Sequence, residues 1–223
     1  MNNWTTSEAK SWMMRSLSKV KPGNEPLFLD TSVLINLLAA DCVELIATTL
    51  GRVLIVSEYA ARELTHDPRD NADGQEVIGR LAANGTLKIA TLDDGQLTHF
   101  YRLVGAPPPD DLGDGEAATL ACAAFCGIAV IDEKKATRIA MRDYPNVALY
   151  TTLDLLCADQ MYRTHGAAHV HDMVTNALTV GRMRIPHAWR SRLDSNITVK
   201  SYSAMANGSA ICGRVGSKGL IRS

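Results

Sequence analysis

Five short apolar runs, each handing over to a stretch of helical periodicity, constrain this chain more than any other feature. Residues 27–29, 53–56, 87–92, 128–131 and 147–150 are rich in Leu, Ile and Val and have the length of buried strands. Helical patterns follow at 31–40, 58–64, 93–104, 134–142 and from 153 onward, with further helices over 42–50, before Asn84-Gly85, and over 114–126. Ser57 stands where it can cap the helix it precedes, and Gly127 closes the 114–126 helix in the usual C-terminal position. Strands separated by helices predict a parallel sheet of four to five strands covered on both faces, a three-layer α/β fold.

The alternation spans residues 23–160, which reads as one domain. Residues 1–22 form a separate amphipathic helical extension (Trp12, Met13, Leu17, Val20) ended by Pro22-Gly23. After residue 160 the alternation stops: 161–194 is a helical extension, with helix expected over 167–193 in two pieces broken at Pro186. Residues 195–223, rich in Ser, Gly, Asn and Ala, form a loosely ordered tail. The net charge of −1 conceals an asymmetry. From Arg182 onward the chain is +7, and the preceding residues carry −8. A basic end attracts polyanions, and an acidic body is suited to cations.

Three Phe and three Trp leave a core of aliphatic residues and Ala. The five cysteines (42, 122, 126, 157, 212) form no C-x-x-C pair, and Cys122 and Cys126 read as buried small hydrophobes. Free thiols fit a reducing cytosol, and the N-terminus lacks the apolar run of a signal peptide. The run from Val33 to Ala40, interrupted by Asn36, is too short for a bilayer. A cytoplasmic protein with no membrane partner is expected.

Two aspartates occupy the same slot in this pattern. Asp30 follows Leu27-Phe28-Leu29, and Asp132 follows Ile128 to Ile131. In an open α/β sheet the carboxyl ends of strands line the ligand crevice, so both carboxylates point into one cleft if their strands are adjacent. Helix capping is the alternative for each. Glu116 falls in the first turn of the Ala-rich helix after Gly113-Asp114-Gly115, and Glu63 lies in the helix after the second strand among small residues. Carboxylates gathered in one cleft repel one another unless a divalent cation sits among them, and hard oxygen ligands select Mg²⁺ or Mn²⁺. Such an ion eases deprotonation of water and stabilises charge on a phosphodiester.

Leu29-Asp30-Thr31-Ser32-Val33-Leu34 resembles the opening strand and first acid of PIN domains. Val56-Ser57 through Glu63-Leu64 resembles their second acidic helix, Gly115 through Ala121 their third element, and Val130-Ile131-Asp132 their fourth, in the same order over residues 27–158. The resemblance implies a Mg²⁺- or Mn²⁺-dependent nuclease, usually acting on RNA. Many bacterial members are toxins of toxin–antitoxin pairs, so an antitoxin protein and a homodimer are the partners it implies. Carried over residue by residue, Asp30, Glu116 and Asp132 bind metal, Glu63 binds metal or orients its water, and Ser32 supports the site through its hydroxyl. Val130 stands where many members have Thr or Ser, and Asp132-Glu133 stands where some have two aspartates, so Glu133 shares or competes for the fourth role. Asp114 competes with Glu116 for the third.

Among the remaining features, Arg182, Arg184, Arg190 and Arg192 are candidates for RNA backbone contact, with Trp189 between them for base stacking. A basic helix face packed on the acidic body explains them equally well. His165, His169 and His171 read as surface histidines. Asp67, Asp70, Asp73, Asp93, Asp94, Asp110 and Asp111 are accounted for by solvation or capping. The chain has neither a G-x-x-x-x-G-K-[ST] loop nor a G-x-G-x-x-G fingerprint. Two other functions stay open: a non-catalytic scaffold on the same fold, and a phosphatase of haloacid-dehalogenase type with Asp30 as nucleophile. The latter wants a second Asp where Ser32 stands.

Overall fold

The computed structural model describes Val20, residues 23–186 and Trp189. The N-terminal helical extension, apart from Val20, and the tail from residue 195 lie outside the described residues. Strands β1 (Leu27–Leu29), β2 (Leu54–Ser57), β3 (Leu87–Ala90), β4 (Ile128–Val130) and β5 (Ala148–Tyr150) form one sheet in the order β3-β2-β1-β4-β5. Every pairing is parallel, with Leu27 in register with Leu54 on one side and Ile128 on the other. The expected parallel sheet is therefore present with five strands, every strand end within two residues of the sequence reading.

The pleat divides the core in two. Leu27, Leu29, Leu54, Val56, Ile128 and Val130 face one hydrophobic cluster, whereas Phe28, Ala129 and Ile131 face the other. Helices α1 (Thr31–Ala39), α2 (Val43–Leu50), α4 (Gly74–Ala83), α8 (Thr152–Leu156) and α9 (Asp159–Thr179) contribute to the first cluster. Helices α5 (Asp94–Val104), α6 (Asp114–Cys126) and α7 (Lys134–Asp143) build the second, and the short α3 (Glu58–Glu63) lies between β2 and β3 in the chain. Ala117, Ala118, Ala121 and Ala123 of α6 are fully buried, which lets its backbone lie close to the small Ala129 of the central strand pair. Gly127, at φ +124°, ends this helix with a backbone conformation that a side chain would disfavour, and β4 starts at once.

Beyond the alternating region the structure departs from the sequence reading. α9 starts at Asp159 and ends at Thr179, with its break at Gly166 (φ +77°), whereas helix was expected over 167–193 with its break at Pro186. Met161, Val170, Met173, Val174 and Ala177 bury one side of α9 in the core shared with α1 and α2, and burial of that side fixes its extent. Trp189, read as a stacking platform, is 2% exposed in the same core and has no face to offer a base. Asp67 is buried rather than solvated: the Arg69 guanidinium donates to it at 3.2 and 2.9 Å, and the Arg69 amide donates at 2.9 Å. Asp73 and Asp93 cap α4 and α5, as the sequence suggested. Among the described residues no single helix is long and apolar enough to cross a membrane.

Candidate active site

The strand order reverses at β1: the chain moves from β1 to β2 to β3 on one side, then resumes with β4 and β5 on the other. At such a switch point the connections leave in opposite directions and open a crevice at the strand carboxyl ends. Asp30 follows β1 and Asp132 follows β4, so the two aspartates flank this crevice. Glu116, in the first turn of α6, is brought to it by the packing of that helix on β1 and β4. A cleft of about 650 Å³ is lined by all three, together with Glu133.

Asp30 is 3% exposed and caps α1: its Oδ2 accepts from the Ser32 hydroxyl at 2.6 Å and from the Ser32 amide at 3.3 Å. Capping and site position coincide here, and Ser32 has the supporting contact expected of it. Asp132 is held by more donors. Its Oδ1 accepts from the Thr152 amide at 2.8 Å, and its Oδ2 accepts from the Thr152 hydroxyl at 2.6 Å and from Asn36 Nδ2 at 2.8 Å. Sequence reasoning missed both partners. Asn36 (4% exposed) was visible only as the polar break in an apolar helix, four residues from Ser32 on the same helical face. Thr152 at the start of α8 carried no sequence signal.

These surroundings disfavour the ionised carboxylates. Burial pushes Asp30 up to about 6, against its hydrogen bonds from Ser32 and Thr31, and the charge of Glu63 adds to the rise. Burial raises Glu116 to about 7, followed by the charge of Asp30; Glu133 adds to this, while a Gly113 backbone hydrogen bond and Lys135 oppose it. Asp132 is raised by burial, against its bonds from Thr152 and Asn36. Repulsion between close acids is relieved by a proton or by a cation.

Glu63 does not line the cleft. It is exposed overall, yet both carboxylate oxygens are engaged: Oε2 accepts from the Thr31 hydroxyl at 2.6 Å and Oε1 from the Gly115 amide at 2.8 Å. Thr31 follows Asp30 and Gly115 precedes Glu116, so this one carboxylate clasps the two backbone segments that carry the cleft acids. A Cβ on residue 115 would overlap Glu63 Oε2, so glycine is what permits the close approach. Asp114 is exposed and does not line the cleft, whereas Glu133 lies on its exposed rim. Arg182 and Arg184 also line it; Arg190 and Arg192 lie outside the described residues.

Among the described residues no three His, Cys, Asp or Glu side chains already form a coordination shell. The fit to a divalent cation rests instead on the donor set. Hard carboxylate oxygens, anchored from behind by Ser32, Asn36 and Thr152 and with their ionised forms disfavoured first by burial, suit Mg²⁺ or Mn²⁺, which keep waters in their remaining positions.

The fold and cleft together define an α/β domain with an acidic crevice at its topological switch point. Residues 27–160 match the profile of the DUF3368 family, a PIN domain, and the chain belongs to the PIN-domain family. This membership displaces the aspartyl-nucleophile phosphatase reading. Neither a curated protein nor a solved structure matches the chain.

Proposed function

We propose that the protein is a Mg²⁺- or Mn²⁺-dependent endoribonuclease that hydrolyses RNA phosphodiester bonds in this cleft. The observation that carries the reading is the placement of Asp30, Glu116 and Asp132 around one switch-point crevice with their ionised forms disfavoured. Those three side chains would hold the cation. When bound, the ion lowers the pKa of a nearby water and neutralises charge developing on the phosphate. Ser32 fixes the orientation of Asp30, and Asn36 and Thr152 fix that of Asp132. Glu63 sets the spacing between the Asp30 and Glu116 segments, and Glu133 adds negative charge at the rim.

Within this reading the protein acts in the cytoplasm, and a toxin role with an antitoxin partner and a homodimeric state extends it. Co-purification with the product of an adjacent small reading frame tests that extension. A non-catalytic RNA-binding or scaffold module is the second reading, favoured by the lack of a ready coordination shell among the described residues. Incubation of purified protein with mixed single-stranded RNAs separates the two. Cleavage in Mn²⁺ that is abolished by EDTA and by Asp30→Asn supports the nuclease; RNA binding without cleavage in either metal supports the scaffold.

A further inference from the structure

The polypeptide beyond α9 turns back across the cleft. Residues 181–186 lie outside the stretch matched by the PIN-domain profile, yet all six line the same cavity as the acids. Their side chains alternate. Met183 (7% exposed) and Ile185 (8%) enter the core with α1 and α9, whereas Arg182 and Arg184 remain exposed. This alternation gives the strap one anchored face and one presented face.

The strap is fixed in place. The Met183 amide donates to the Ala177 carbonyl at 3.0 Å. Gly181 lies so close to α1 that a Cβ would stand 2.9 Å from Asn36 Oδ1 and 3.0 Å from the Ala39 Cβ. Asn36 is the residue that holds Asp132, so strap and cleft floor share a contact. Arg182 has φ +55°, a left-handed conformation that disfavours a side chain by roughly 1–2 kcal/mol. Strain of that kind persists where the surroundings over-determine the backbone, and it concentrates at ligand clamps. Neither guanidinium takes part in the ion pairs found among the described residues, although acids line the same cleft.

We propose that the 181–186 strap is a backbone rest for a single nucleic-acid strand, with Arg182 and Arg184 contacting phosphates adjacent to the one at the carboxylates. This rests on the nuclease reading of the cleft and adds to it phosphate contacts from residues beyond the stretch the PIN-domain profile matches. A guanidinium presents a planar fork of donors that matches phosphate oxygens, and Lys134 on the cleft lining adds a third cation. A volume of about 650 Å³ falls in the range of small-ligand sites, enough for a short stretch of one strand and not for a duplex.

The test is binding of a short single-stranded RNA, and of its duplex, to the full chain in Ca²⁺ over a series of salt concentrations. Arg182→Gly removes the guanidinium while relieving the left-handed φ, and Arg184→Ala removes the second without touching either anchor. An unchanged or raised melting temperature for Arg182→Gly shows that the strap is still seated. The expected result is tighter binding of the single strand, weakened several-fold by each variant, with the salt slope falling by about 0.7 per lost phosphate contact. Equal binding of duplex and single strand, or slopes unchanged in both variants, overturns the strap proposal. Arginine-dependent binding without cleavage in Mn²⁺ overturns the nuclease reading and leaves the strap standing. Cleavage with unaltered slopes does the reverse.

Discussion

Replacing Gly115 by Ala adds one carbon at the point where Glu63 meets the backbone of α6. The new Cβ would overlap Oε2 and lie 2.8 and 2.9 Å from Cδ and Oε1 of that carboxylate, so the carboxylate must leave. With it go the hydrogen bonds from the Gly115 amide and the Thr31 hydroxyl. Bonds to a charged group contribute about 1.5–3 kcal/mol each when sheltered; Glu63 is exposed, so about 1 kcal/mol each is the appropriate scale. Against this stands the gain from Gly to Ala within a helix, about 0.5–1 kcal/mol. Gly79 of α4 supplies the control, since a Cβ there meets nothing within 4 Å. Gly79→Ala should stabilise the protein, and Gly115→Ala should destabilise it by roughly 1 kcal/mol. The gap of about 2 kcal/mol corresponds to some 4–8 °C in a chain of this size, read by thermal melts monitored by circular dichroism. In a Glu63→Ala background the added carbon has nothing to displace, and Gly115→Ala becomes neutral or stabilising. Equal stabilisation at both glycines in the wild-type background would refute the clasp.

Removing the amide at position 36 tests the support behind Asp132. Asn36→Ala should lower stability by about 1–3 kcal/mol and reduce turnover, whereas Asn36→Asp, which sets a second carboxylate against Asp132, should be worse without metal at neutral pH; denaturant titration ranks them. The raised carboxyls also set the sign of a pH effect. Folding lifts Asp30 from 3.8 to about 6 and Glu116 from 4.5 to about 7, so the folded state binds more protons across that window. Their contribution to metal-free stability is fully present below the unfolded values and is lost as pH rises through about 6 and 7. The difference in melting temperature between wild type and Asp30→Asn/Glu116→Gln isolates this effect from Asp110 and Asp143, which arginine hydrogen bonds shift the opposite way. A wild type that gains on the double variant as pH rises in EDTA contradicts it. Because Mn²⁺ competes with the same protons, it should raise the melting temperature at about pH 8 far more than at about pH 5.

The parts of this architecture visible in the sequence share one physical origin. A buried parallel strand must be apolar on both faces, so Leu27-Phe28-Leu29 and Ile128-Ala129-Val130-Ile131 announce themselves, and an acid that stops such a run is conspicuous. Adjacency of β1 and β4 is a non-local property that no single run encodes; once the sheet order supplies it, Asp30 and Asp132 flank one crevice. The behaviour of Glu63 was not legible because its partners are a backbone amide and a threonine hydroxyl 52 and 32 residues away. Asn36 gave a signal that can be used elsewhere: an amide within an apolar helix, one turn beyond a serine bonded to the capping aspartate, marks a polar partner in the core. In the sequence the arginines from residue 182 fit RNA contact and a packed helix face equally, and charge alone does not choose between them. Ordering of the strap depends on Met183 and Ile185 finding the core, and charge spacing does not report that.

Titration with Mn²⁺ near neutral pH, followed by electron paramagnetic resonance, reads out whether the switch-point acids hold a divalent cation. Saturable loss of the free-ion signal is expected in the wild-type protein, with that binding abolished in both Asp30→Asn and Glu116→Gln. A free-ion signal untouched by the wild type, or binding that survives both substitutions, contradicts cation binding by these acids.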